Sequence, residues 1–251
     1  MNTSATYANA LLAVHQSLAQ LARWQCRGFD CSQAGLAALE RWTGSDSVRS
    51  IVSDVSDVSD VSDVSETPIS LDHIRAELDD CRCCSLSKSR SQIVFGEGDA
   101  AADLIFVDAF PGPADDQQGK PFTGPAGELL TRIIEAMKMT REKVYLCHLI
   151  KCIPPEGQRP DGTHFQTCLP FFQKQLNIIQ PKVICTLGPL APQILLNTST
   201  SLDRLRGRFY DYEGIKMMPT LHPTDLLAHP ERKRLVWDDV KKIMAYLRIP
   251  L

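Results

Sequence analysis

The stretch ADLIFVDAF, residues 102–110, decides the fold class, because it is the first of four near-continuous apolar segments. The others are KVYLCHLI (143–150), PKVICTLG (181–188) and KMMPTLHP (216–223). Such runs are typical of strands that are covered on both faces. Helical patterns separate or follow them: AGELLTRIIEAMKM, HFQTCLPFFQKQLNII and ERKRLVWDDVKKIMAYL. The alternation predicts an α/β fold, a parallel sheet with helices on both sides.

In a fold of this kind, the ligand site lies outside the carboxyl ends of the strands. The segments that follow the four runs therefore become the candidates for function. They read PGPADDQQGKPF, KCIPPEGQRPDG, GPLAPQ and HPTDLL.

The first 70 residues differ from the rest in pattern. Residues 53–66 read SDVSDVSDVSDVSE, whose period of three fits neither a helix nor a strand and whose acidic, serine-rich content cannot form a core. Before this repeat, apolar residues recur at helical spacing: Leu11, Leu12, Val14, Leu18, Leu21 and Trp24. We expect an N-terminal helical extension over 1–44 that packs on the body or on a partner protein, a linker over 45–70, and the main domain over 71–251.

Charge and hydropathy limit the classes of function. The net charge is −3, and residues 71–251 hold 23 basic and 22 acidic side chains, whereas a bulk polyanion binder is usually more basic. Six basic residues lie close enough in sequence to form a local phosphate-facing patch: Arg204, Arg206, Arg208, Arg232, Lys233 and Arg234. The alternative is that they form a solvated helix face. The start lacks a signal-peptide pattern and no window approaches about 18 apolar residues, so we expect a cytoplasmic protein without a membrane partner.

Nine cysteines in a reducing compartment indicate metal or redox chemistry rather than disulfides. Cys81 and Cys84 form a CxxC pair, and Cys152 and Cys168 form a second pair with fifteen residues between them. Two such pairs can converge on one centre. Four thiolates suit tetrahedral zinc or an iron–sulfur cluster, and spacing alone leaves both open.

The order of motifs carries a resemblance to a known family. It runs CxxCxL, FGEGDAxADLIFV, a PG turn with acidic residues, QGKPFTGPAGELL, VYLxxxxKCIPP, CLPFFQKQL, LRGR and HPTDLL. This order, over residues 78–248, resembles the family 4, iron–sulfur uracil-DNA glycosylases. The resemblance implies a three-layer α/β/α sandwich with a central four-stranded parallel sheet. It also implies a structural 4Fe-4S cluster bound by the four cysteines, a monomer, and DNA with a damaged base as partner.

The resemblance also implies roles in cleaving an N-glycosidic bond. Phe122 would stack on the flipped base, and Asp115, favoured over Asp116, would activate water and stabilise the positively charged sugar. His222 would donate a hydrogen bond to O2 of the departing base, where negative charge develops.

Further residues would bind the DNA itself. Arg206 and Arg208 in RLRGR would contact backbone phosphates without reading sequence. Leu226 or Leu227 would form the apolar wedge that fills the space left by the flipped nucleotide.

Two departures from the family pattern fall in the expected base pocket. Where the family reads GEAPG, this chain has Asp108 and Ala109 before a retained turn at Gly112. His148 replaces an asparagine whose amide matches the edge of uracil, and an imidazole cannot present the same paired hydrogen bonds. A lost match of this kind can change selectivity by orders of magnitude.

Three hypotheses follow. The first is a DNA glycosylase that acts on uracil or on another deaminated base. The second is a DNA-binding protein that keeps the fold and the cluster but no longer cuts. In the third, neutral His148 captures the sugar as a nucleophile.

Overall fold

The computed structural model describes residues 70–250, which belong to one compact unit beginning at Ile69. The predicted N-terminal extension and nearly all of the predicted linker lie outside the described residues. Among the described residues, no helix combines the length and the apolar character needed to span a bilayer.

The strands, in chain order, are β1 (Glu97–Gly98), β2 (Leu104–Asp108), β3 (Tyr145–His148), β4 (Val183–Leu187), β5 (Tyr210–Tyr212) and β6 (Ile215–Thr220). The α-helices are α1 (Leu71–Leu78), α2 (Pro113–Gln118), α3 (Gly124–Ala136), α4 (Gly162–Ile179), α5 (Leu190–Leu195), α6 (Leu202–Leu205), α7 (Pro223–Ala228) and α8 (Lys233–Leu247). Short 3₁₀ turns cover Ser85–Lys88, Arg141–Lys143 and Pro230–Arg232.

The sheet has six strands in the order β1-β3-β2-β4-β6-β5. The four inner strands pair in parallel, which confirms the predicted central four-stranded parallel sheet. The sheet is larger than predicted by one antiparallel strand at each edge, because β1 pairs with β3 and β5 pairs with β6. Both additions are short, with two and three residues, so neither has an alternating pattern to read.

Alternate residues of the inner strands pack on opposite faces of the sheet. Ile105 and Val107 of β2 face a core completed by α4 and α5. Leu104 and Phe106 face a second core completed by α3 and α8. Because each strand is buried on both faces, its sequence is a continuous apolar run.

Two proline-started helices begin directly beyond strand ends. Gly112 caps α2 and Pro113 is its first residue, while His222 caps α7 and Pro223 follows. Proline is favoured at the first helical position because its φ is already helical. An N–H at that position has no partner within the helix, so its absence in proline costs nothing. Asp115 is thereby held in the first turn of α2 and His222 at the N-cap of α7.

Candidate functional site: a base pocket and a cysteine site

Five predicted residues gather at the carboxyl edge of the parallel sheet. Asp108 ends β2, His148 ends β3, and His222 lies just beyond β6. Asp115 and Phe122 come from α2 and the turn that follows it. Asp115 lies beside His148, and the Phe122 ring lies near both histidine rings. We call these five residues, Asp108, Asp115, Phe122, His148 and His222, the base pocket.

Asp115 is a buried carboxylate held by three hydrogen bonds. Its Oδ1 accepts from the Thr123 amide and the Thr123 hydroxyl, each at 2.7 Å. Its Oδ2 accepts from the Gly112 amide at 3.0 Å. These donors orient the carboxylate, and Oδ2, which accepts the Gly112 amide, lies 3.6 Å from His148 Nε2.

Asp116 has a different role. It accepts the Ser91 amide at 3.0 and 2.9 Å on its two oxygens and the Gln92 amide at 3.4 Å. Its carboxylate therefore ties α2 to the segment before β1 and does not face the base pocket.

Aromatic rings line the pocket. The Phe122 ring stacks on the His148 ring with centroids 4.8 Å apart and planes 26° apart. It also lies 6.4 Å from the His222 ring. A base that used the same face of Phe122 would compete with His148 for that face.

His222 has a defined tautomer. Its Nδ1 accepts the Thr224 amide at 3.1 Å, so the proton of the neutral ring lies on Nε2. Nε2 points toward Asp108 Oδ2 at 3.5 Å. His222 is therefore a hydrogen-bond donor at the mouth of the pocket.

His148 is buried and neutral. Burial lowers its pKa well below the usual range, and the charges of Lys151 and His222 lower it further. Its Nδ1 has no hydrogen-bond partner within residues 70–250. An unpartnered buried ring nitrogen can bind a substrate atom.

Asp108, Ala109 and Gly112, which precede or cap α2, contribute a carboxyl group and backbone groups. Burial raises the pKa of Asp108, the Asp115 charge raises it further, and His222 opposes the shift. Ala109 is buried and accepts the Ile150 amide at 3.0 Å, so it fixes the backbone between β2 and the segment after β3. Gly112 contributes its amide to Asp115.

The four predicted cysteine ligands line one pocket, which we call the cysteine site: Cys81, Cys84, Cys152 and Cys168. Leu78, Ile150 and Phe171 supply apolar walls. Within residues 70–250, no compact group of three His, Cys, Asp or Glu side chains suits a single metal ion. The donor set fits a thiolate-bound cluster, since it offers four sulfurs in a mostly apolar enclosure.

Cations adjoin this pocket. Arg90 Nη1 donates to Cys152 Sγ at 3.3 Å. Burial raises the pKa of the Cys168 thiol to about 12, and the Lys151 charge opposes that shift. Buried thiols keep their protons, so metal binding at this site would release them.

Lys151 joins the two sites. It is completely buried, and burial lowers its pKa. Nζ donates to the His148 carbonyl and to Gln175 Oε1, each at 2.6 Å. Lys151, which precedes Cys152 in the chain, thus holds the backbone of His148 at the end of β3.

The predicted DNA-binding residues differ in exposure. Arg206 Nη2 donates to the Leu235 carbonyl at 2.6 Å and to Asp239 Oδ2 at 2.8 Å, so an internal carboxylate already occupies it. Arg208 is exposed. Leu226 is 1% exposed and belongs to the core, whereas Leu227 is 44% exposed. The phosphate and wedge roles stay predictions, with Arg208 and Leu227 the accessible members of each pair.

Two residues that hold the pocket together were not singled out from the sequence. Thr123 carries two of the three Asp115 hydrogen bonds, and Arg141 contacts the turn that bears Phe122. Thr123 lies at the N-cap of α3 in the QGKPFTGPAGELL stretch, but its side chain makes no capping hydrogen bond and instead donates to Asp115, which the sequence does not signal. Arg141 lies in a short connection with no pattern of its own.

Comparison with known families places this fold and site in a class of proteins. The model of the uracil DNA glycosylase superfamily matches residues 95–241, more than half of the chain. The chain therefore belongs to the uracil-DNA glycosylase superfamily, and the following similarities identify the type-4 family within it.

Curated relatives named type-4 uracil-DNA glycosylase are similar over most of their length. The protein of Saccharolobus solfataricus is 36% identical over 183 residues, covering 69% of this chain and 85% of the relative. That of Archaeoglobus fulgidus is 35% identical, covering 69% and 92%. That of Thermotoga maritima is 33% identical, covering 71% and 95%.

Proposed function

We propose that this protein hydrolyses the N-glycosidic bond of uracil, or of another deaminated base, in DNA. The observation that carries the proposal is the convergence of an oriented carboxylate, an aromatic ring and a histidine donor at one edge of the sheet. Membership of the type-4 family supports the same reaction, because the relatives are named for it. DNA is accordingly the partner.

Asp115 would supply a negative charge and would act as the general base, the group that accepts a proton from water. Water held by Oδ2 would attack the sugar carbon as the bond to the nucleobase breaks. The nucleobase would leave with the electron pair of that bond, and the carboxylate would take the proton from the water. The carboxylate charge would stabilise the oxocarbenium-like sugar through the transition state. The Thr123 and Gly112 donors support this role by preventing rotation of the carboxylate.

His222 would stabilise the leaving base. Because Thr224 fixes the Nε2–H tautomer, this proton can donate to O2 of the base as negative charge develops there. Phe122 would stack on the flipped base and hold it in the plane that His222 reaches.

We further propose that Cys81, Cys84, Cys152 and Cys168 bind a 4Fe-4S cluster. When bound, the cluster would act as a structural crosslink. It would join the segment after α1 to the segment after β3 and to α4. The common pocket and the type-4 relatives support this assignment.

A second candidate function is DNA recognition without cleavage. The His148 ring lies on Phe122, and Asp108 takes the direction in which His222 would donate. Both features oppose ordinary uracil binding, since one occupies stacking surface and the other presents a carboxyl group to the leaving base.

The test uses purified protein, with iron and sulfide quantified, on labelled oligonucleotides that carry uracil, hypoxanthine or xanthine. Alkali would reveal abasic sites. Cleavage that is lost in both Asp115→Asn and His222→Ala would establish the glycosylase and its base. Binding without cleavage on every substrate would establish the second candidate. A DNA adduct stable to denaturing electrophoresis, and absent in His148→Ala, would indicate the nucleophilic role of His148.

A further inference from the structure

Phe122 adopts a backbone conformation that few aromatic residues adopt. Its φ is +52°, in the left-handed region, and its ring is 5% exposed. A bulky residue persists there only where its surroundings hold it. The groups that hold Phe122 therefore determine where the stacking surface of the base pocket lies.

Arg141 is the main polar contact of this turn. Its Nη2 donates to the Pro121 carbonyl at 2.6 Å and to the Phe122 carbonyl at 3.2 Å. Its Nε donates to Glu97 Oε1 at 2.8 Å, and its Nη1 donates to Thr131 Oγ1 at 3.2 Å. A planar guanidinium can make all of these bonds at once, whereas a lysine cannot.

Helix α3 packs against the same turn. Gly127 is the contact residue, because a Cβ there would collide with the Phe122 carbonyl oxygen. The Phe122 carbonyl is thus in close contact with α3 at Gly127 and accepts a hydrogen bond from Arg141.

The next residue along the chain connects this turn to the carboxylate. Thr123 donates its amide and its hydroxyl to Asp115 Oδ1. Rotation of the 122–123 peptide would move both the Phe122 carbonyl that Arg141 holds and the Thr123 amide that orients Asp115.

We propose that Arg141, braced by Glu97, is a positioning residue that sets the stacking ring and the Asp115 carboxylate in one geometry. Arg141 acts through the turn and does not touch the base. Its catalytic consequence rests on the proposed glycosylase function, whereas its structural consequence does not.

The experiment compares Arg141→Ala and Arg141→Lys with Lys182→Ala, which removes an exposed ion pair with Asp103 far from the pocket. Amide hydrogen exchange of residues 119–126 is measured in the full-length, iron-loaded proteins. We expect exchange there to rise about tenfold or more in Arg141→Ala, less in Arg141→Lys, and not at all in the control, since charge-assisted hydrogen bonds to the turn are lost. Unchanged exchange in this segment, or an equal rise throughout residues 70–250, would overturn the proposal.

Single-turnover kinetics on the base that the wild type excises supply the second readout. A misplaced turn should lower the chemical rate by about 10²-fold with a smaller change in DNA affinity. Added guanidinium should restore part of the rate in Arg141→Ala and none in Asp115→Asn. Equal loss of rate and affinity, with no rescue, would contradict a positioning role.

The experiment also decides the proposal in two unfavourable cases. If Arg141→Ala does not fold, Glu97→Gln replaces it, because this variant keeps an acceptor oxygen but removes the charge that braces Arg141. We then expect a smaller rise in exchange at 119–126, and its absence would reject the proposal. If the wild type cuts no substrate, the glycosylase function fails, while the exchange data still decide the role of Arg141.

Discussion

The cysteine site and the base pocket lie at the two ends of one short stretch, residues 148–152, and differ in how far they depart from the family pattern. The cysteine site carries a thiol at every position that the resemblance requires. The base pocket carries Asp108 and His148 where the resemblance implies a glycine and an asparagine. The proposed cluster site thus keeps the family pattern while the proposed base-binding surface departs from it, which would separate stability from specificity in this fold.

The largest expected effect comes from breaking the cysteine site. Cys152→Ala should lose iron and unfold at a lower temperature, because binding energy at a structural metal site is also folding energy. Cys147→Ala is the matched control, since Cys147 is buried in β3 but lies outside the cysteine site. Iron content and thermal unfolding are the measurements. Full iron in Cys152→Ala would remove this residue from the ligand set.

The next effect is on the chemistry of the base pocket. Asp115→Asn should lower the single-turnover rate by about 10³-fold, in the usual range for removal of a general base. Asp116→Asn should mainly lower the melting temperature, because Asp116 binds the Ser91 and Gln92 amides instead. Equal loss of rate in the two variants would mean that Asp115 has no special role.

A third variant moves the pocket toward the family pattern. His148→Asn should raise the preference for uracil over hypoxanthine by about ten- to hundredfold, because an amide offers a donor and an acceptor side by side. The measurement is the ratio of excision rates on matched oligonucleotides. An unchanged ratio would show that His148 does not set specificity, and the comparison between the two sites would then rest on Asp108 alone.

The smallest effect is a pH dependence of stability. Burial lowers the pKa of His148 in the folded protein, so below about pH 6.5 the unfolded chain takes up a proton that the folded protein refuses. Stability is therefore complete above that pH and falls as the pH is lowered, with a slope of at most about 1.4 kcal/mol per pH unit for one group. Denaturant unfolding between pH 7.5 and 5 should give a shallower slope for His148→Asn. Identical slopes would mean that His148 titrates normally.

The parallel core of the fold was readable from sequence because each inner strand is buried on both faces. The run over 102–110 contains β2, and that over 181–188 contains β4. Strands β1 and β5 were missed, since two or three residues carry no periodicity. A short edge strand forms because the free backbone groups of an inner strand pair with it, and this pairing exists only once the sheet has folded.

The site was readable in part. The site residues follow the ends of strands, and ligand sites of parallel sheets lie beyond those ends. The order of the motifs then identified the individual residues. Sequence could not separate Leu226 from Leu227, because adjacent helical residues of one type differ only in the face they occupy. It likewise could not show that Arg206 pairs with Asp239 or that Arg141 reaches the Phe122 turn, since both contacts join distant segments.

The short antiparallel strands at the edges of the sheet also affect how readily the protein aggregates. A long, flat, uncharged edge would offer its free backbone groups to a second copy of the chain. Here β1 is two residues long and includes Glu97, and β5 is three residues long and includes Asp211. Brief, charged borders of this kind discourage edge-to-edge stacking, so concentrated solutions of the protein should resist β-type aggregation.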